Sequence, residues 1–137
     1  MGSPFPVQDT VPARPRVLVV EDQFMLARMV ATTLQDLGYD VAGPVASLED
    51  ARKLVQSGPL NAAILNYRLD HTTTGELARE LARRGCPSVF ISAQGDCRPE
   101  GLRDWIWIEK PVTPAQLTEA LHSVLKGERD QGEQAGS

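Results

Sequence analysis

Three short apolar runs, Arg16-Val-Leu-Val-Val20, Ala62-Ala-Ile-Leu65 and Ser88-Val-Phe-Ile91, each end at a polar residue and are parted by stretches with helical spacing. Runs this short, apolar on both faces and rich in β-branched residues, are what a strand buried on both sides of a sheet requires. Two weaker runs, Tyr39-Asp-Val-Ala-Gly43 and Trp105-Ile-Trp-Ile108, bring the strands to five. Between the first two strands Phe24, Ala27, Val30, Leu34 and Leu37 recur every three or four residues and share one helical face, with Gly38 placed as the stop. Ser47-Leu-Glu-Asp50 has the form of a capping box ahead of Ala51, Leu54 and Val55. Leu77, Leu81 and Ala82 mark a third helix that ends near Gly85. Thr113, Pro114 and Gln116 start a last helix whose inner face is Leu117, Ala120, Leu121, Val124 and Leu125. Between the last two strands, Gly95, Pro99 and Gly101 oppose a full helix, so the fourth helix is expected to be short or missing. Strands and helices alternating at these intervals specify an α/β fold with a parallel sheet and right-handed crossovers.

The 137 residues, 42% of them hydrophobic, suffice for one core of ordinary size, so a single domain is expected. The boundaries read as a lead-in over residues 1–15, broken by Pro4, Pro6, Pro12 and Pro15, a domain over 16–126, and a polar tail over 127–137. Both ends are expected to be disordered. The net charge of −4 is spread along the chain with the two signs interspersed, which argues against nucleic acid as a partner. Cys86 and Cys97 form no metal or redox spacing and read as reduced thiols. No apolar run approaches the roughly 20 residues of a membrane span, and a cytoplasmic protein is the expectation.

In parallel sheets ligands lie beyond the carboxyl ends of the strands. The residues there are Glu21 and Asp22 after the first strand, Asn66 after the third, Ser92 after the fourth and Glu109-Lys110-Pro111 after the fifth. Adjacent carboxylates are costly to desolvate without a cation, and hard oxygen ligands of this kind suit Mg²⁺. A hydroxyl and an ammonium opposite them would hold phosphoryl oxygens.

In V-L-V-V-E-D-Q, the strand-ending Asn66, F-I-S-A and I-E-K-P-V, the chain resembles the receiver domain of bacterial two-component response regulators over nearly all of residues 15–126. The resemblance implies a flavodoxin-like, doubly wound sheet of five parallel strands in the order 2-1-3-4-5. It also implies that Glu21 and Asp22 are the acidic pair for Mg²⁺, with Asn66 at the phosphoacceptor position and the main-chain carbonyl of Arg68 as a further metal ligand. Ser92 would be the switch hydroxyl, Trp107 the switch aromatic and Lys110 the phosphoryl-pairing lysine, followed by Pro111 where the family often has a cis bond. Implied partners are a histidine kinase, a histidine phosphotransfer protein or a downstream signalling protein, and a homodimer is compatible with the family.

The departure from the family is at Asn66. A neutral amide oxygen is a poor nucleophile, so no aspartyl phosphate is expected. Mg²⁺ affinity should be weak or absent, and Lys110 is free to pair with the acids. The chain thus reads as a pseudo-receiver that works by protein–protein contact. A receiver whose acceptor Asp was replaced by Asn, or the receiver piece of a longer regulator, stays open beside it. The rival of another class, a small Mg²⁺-dependent phosphatase, lacks a D-x-D nucleophile: Gln23 and Phe24 follow Asp22. No enzyme is expected. His71 and His122 have no partner at ligand spacing and read as surface residues. Trp105 and Trp107 share a face and are expected either to switch or to pack, one of them against the last helix.

Overall fold

The computed structural model describes residues 14–127; residues 1–13 of the expected lead-in and 128–137 of the expected tail lie outside the described residues. The elements run β1 (Arg16–Val20), α1 (Phe24–Asp36), β2 (Asp40–Val45), α2 (Leu48–Ser57), β3 (Ala62–Asn66), β4 (Arg68–Leu69), β5 (Thr72–Thr73), α3 (Gly75–Arg83), β6 (Ser88–Ser92), β7 (Ile106–Glu109) and α4 (Pro114–His122). Five strands form one parallel sheet in the order β2-β1-β3-β6-β7. Counting only the strands of this sheet, that is the expected 2-1-3-4-5 order. The flavodoxin-like arrangement follows, with helices on both faces.

Side-chain alternation along the strands divides the core in two. Leu18, Val20, Leu65 and Phe90 meet α2 and α3 on one face, through Ala51, Val55, Leu77 and Leu81. Val17, Val19, Ile64 and Ile91 meet α1 and α4 on the other, through Val30, Leu34, Leu117 and Leu121. At the start of α4, Thr113 accepts from the N–H of Gln116 while Gln116 reaches back to the Thr113 N–H, the predicted reciprocal cap. Ser47 caps α2 by accepting from the Asp50 N–H.

Several details differ from the sequence reading. Phe24 and Leu37 are 70% and 38% exposed, so the inner face of α1 is narrower than its apolar periodicity, and Thr33 joins it by donating its hydroxyl to the Met29 carbonyl. In α3 the inward alanine is Ala78, while Ala82 faces solvent. The second strand extends to Val45 through a cis Gly43-Pro44 bond and a shift in its pairing with β1. Gly43 has φ +105°, and a Cβ there would stand 2.9 Å from both Val19 O and Val45 N, so only glycine fits. After α4 the chain widens into a π turn over Ser123–Gly127 that carries Val124 and Leu125 into the core. The segment 93–104 holds a single 3-10 turn, Glu100–Leu102, in place of a fourth crossover helix. The small antiparallel hairpin β4–β5, turning through Asp70 at φ 52°, was not foreseen; two-residue strands carry no periodicity to read.

Candidate functional site at the carboxyl edge of the sheet

The ends of β1, β3 and β6 bring Glu21, Asn66 and Ser92 into one recess, where they are 3%, 6% and 3% exposed. The Glu21 N–H donates to Val45 O, which ties the acid to β2. Its Oε2 accepts from the Gln23 N–H at 2.9 Å, whereas Oε1 is buried without a hydrogen-bond partner. Burial pushes the Glu21 carboxyl above its ordinary range; the Gln23 N–H and the charge of Lys110 oppose that rise, and neighbouring Asp22 adds to it.

Asn66 joins the acids. Its Nδ2 lies 3.3 Å from Glu21 Oε2, 3.2 Å from Asp22 Oδ1 and 3.0 Å from the Arg68 carbonyl oxygen. All three are acceptors, so only the NH₂ end of the amide fits there; the reversed amide would aim a carbonyl oxygen at three oxygens. The backbone around it is fixed as well. Asn66 O accepts the hydroxyl of fully buried Thr74, and Tyr67 N–H donates to Ile91 O. Thr74 is the N-cap residue of α3, yet its hydroxyl caps nothing in that helix and donates to Asn66 O instead.

Lys110 follows a different course from the one expected. Its N–H donates to Ser92 O at 2.8 Å, which places it at the end of β6, and its bond to Pro111 is cis. Its ammonium donates to Gln23 Oε1 at 3.0 Å rather than to a carboxylate. Its charge still acts on Glu21 through space, against the upward push of burial on that carboxyl. Gln23 thus serves both sides of the recess, with its backbone to Glu21 and its side chain to Lys110. Nothing in the sequence marked Gln23 except its place directly after the acid pair.

Trp107 sits apart from the recess. Its ring stacks on Phe90 at 4.5 Å and approaches Tyr67 at 5.3 Å, while its Nε1 donates to Leu102 O at 2.8 Å. The Arg98 guanidinium lies 5.3 Å above it. Trp105 also packs on Phe90, at 5.5 Å, so both indoles join the α2/α3 side of the core and neither packs against the last helix as expected. The Arg68 side chain turns away to Asp96, 3.6 Å distant, and bridges the two loops that rim the recess.

Comparison with known proteins agrees with this fold. The profile of the response regulator receiver domain matches residues 17–122. The phosphate regulon transcriptional regulatory protein PhoB of Pseudomonas aeruginosa is 27% identical over 118 residues, covering 80% of this chain and 51% of that protein. A probable transcriptional regulator, ycf27, of Cyanophora paradoxa is 27% identical over 81% of this chain and 48% of its own. The chain therefore spans about half the length of the curated relatives it matches. Among solved structures, SdrG of Sphingomonas melonis Fr1 is 30% identical with a TM-score of 0.74, over 83% of this chain and 98% of SdrG. The response regulator PhyR of Brucella abortus is 21% identical with a TM-score of 0.72, over 89% of this chain and 52% of PhyR, and shares the fold. With strand order and profile in agreement, the chain belongs to the response regulator receiver domain family.

Proposed function

We propose that this chain is a receiver module of a two-component or phosphorelay pathway that signals by contact with another protein and is not phosphorylated at residue 66. The observation that carries this reading is Asn66 itself: the side chain at the end of β3 is a neutral amide whose NH₂ points at the acidic pair. A phosphoryl donor would meet a neutral amide where a receiver needs an anionic oxygen. The module is non-enzymatic on this reading. A protein partner, whether a histidine kinase, a histidine phosphotransfer protein or a downstream target, suits the surface beside the recess. Phe24 and Met25 are 70% and 76% exposed there, at the start of α1. Paired large apolar side chains in water mark contact sites more often than isolated ones do. The cytoplasm is the proposed location, and among the described residues no helix is long and apolar enough to cross a membrane.

The test is to give this chain and an Asn66→Asp version Mg²⁺ and acetyl phosphate and to weigh both intact. The chain as it stands should remain unmodified, and the aspartate version should gain one phosphoryl group. A phosphoryl adduct on the asparagine chain would overturn the reading.

A further inference from the structure

The residues of the recess do not fit the divalent cation that the family implies. A Mg²⁺ ion needs near-octahedral oxygen ligands at about 2.0–2.1 Å. The oxygens that would supply three of them, Glu21 Oε2, Asp22 Oδ1 and Arg68 O, instead surround one nitrogen, Asn66 Nδ2, at 3.0–3.3 Å. These are N–H···O distances. The three oxygens come from the end of β1, the turn after it and β4, so the nitrogen joins three segments, as a shared cation would. Among the described residues no cluster of three or more His, Cys, Asp or Glu side chains is placed to hold a metal.

We propose that the Asn66 amide takes the place of the cation: it is a built-in, metal-independent clip that closes the recess to Mg²⁺ and holds β1, β3 and the β4–β5 hairpin together. The proposal rests on the reading of Asn66 as a non-phosphorylated position and adds to it what the amide does there. Its two N–H groups face three acceptors, so one hydrogen is shared and every donor is used. For Mg²⁺ to enter, the amide must turn over. Its NH₂ would then leave all three of its acceptors and set a carbonyl oxygen among them. Glu21 Oε1, buried without a hydrogen-bond partner, is a single atom and cannot bind the ion alone.

The experiment reads the amide directly. In a ¹⁵N–¹H spectrum of the full chain, the side-chain NH₂ pair of Asn66 is identified by its loss in Asn66→Asp. Mn²⁺ is then titrated as a paramagnetic substitute for Mg²⁺, and melting is followed in EDTA and in millimolar Mg²⁺. The expected result is an Asn66 pair that Mn²⁺ does not broaden selectively and a Tm equal in EDTA and Mg²⁺. The Asn66→Asp chain should melt lower in EDTA, recover with Mg²⁺, and bind the ion at least about tenfold more tightly because a charged ligand is added. Saturable broadening of the Asn66 pair, or a Mg²⁺-dependent rise in Tm of the unaltered chain, overturns the proposal. So does an Asn66→Asp chain equally indifferent to Mg²⁺, since the amide would then not be the obstacle. Metal binding without a phosphoryl adduct would sink this inference alone, while an adduct on the asparagine chain would sink the functional reading beneath it.

Discussion

The indole N–H of Trp107 donates to the carbonyl oxygen of Leu102 at 2.8 Å, across the segment where a fourth helix would lie. The bond fastens the 3-10 turn to β7 while the ring stacks on Phe90 at 4.5 Å. Trp107→Phe keeps the stack and leaves Leu102 O only its 3.2 Å bond from the Trp105 N–H, which should cost about 1 kcal/mol. Trp107→Ala removes the stack as well and should cost about 3 kcal/mol. Urea melts of the three proteins check this; equal losses for Phe and Ala would mean that the hydrogen bond, not the ring, holds the turn.

Glu21 makes stability fall as pH rises. Burial raises its folded pKa above the unfolded value, so the native state binds the extra proton and loses ground between the two values. Glu21→Gln keeps an acceptor for the Gln23 N–H and removes the buried charge. It should therefore stabilise the protein at neutral pH by about 1 kcal/mol, with the gain vanishing below the ordinary carboxylate range. Tm measured against pH for both proteins tests the crossover.

Glu80 has the opposite sign. Its hydrogen bond of 2.7 Å to Arg52, and the charge behind it, hold its pKa below the ordinary carboxylate value and link α3 to α2. The stabilisation is full above the unfolded pKa and is lost as pH falls through the folded one. Glu80→Gln should lower Tm slightly near neutrality, less in high salt, and not at all in strong acid. A deficit that persists in acid would point to lost packing instead of lost charge.

Gly43→Ala should be the most damaging single methyl. The new Cβ would stand 2.9 Å from two backbone atoms at φ +105°, and neither neighbour is a flexible side chain. A loss of about 2–4 kcal/mol is expected from strain and the displaced β1–β2 pairing. Because Glu21 N–H bonds to Val45 O just beyond, the amide resonance of Glu21 should shift in the same variant.

The sheet and its helices were legible because their signals are local. Val17 to Val20, Ala62 to Leu65 and Val89 to Ile91 are buried throughout, and Thr113 with Gln116 forms the predicted cap. The positions of Glu21, Asp22, Asn66, Ser92 and Lys110 at one edge followed from strand order alone. The partners these residues choose did not. Lys110 bonds Gln23 instead of an acid, and Thr74 serves Asn66 instead of its own helix, because both choices depend on distances between loops that no spacing encodes. The outward turn of Phe24 was equally hidden: periodicity shows a face, while the neighbouring elements decide how much of it is covered.

The division of the core into two clusters gives the molecule two separate mechanical circuits. Tyr67, Phe90, Trp105 and Trp107 belong to one side of the sheet, and the apolar residues of α1 and α4 belong to the other. A push on the Trp107 ring is therefore passed to α2 and α3 through packed side chains, whereas α1 is reached from the recess along Gln23, whose side chain meets Lys110 and whose backbone meets Glu21. A partner resting on α1 would meet the acids through the hydrogen bonds of Gln23, whereas one resting near β7 would meet a stack of rings, so the two surfaces would sense the molecule by physically different means.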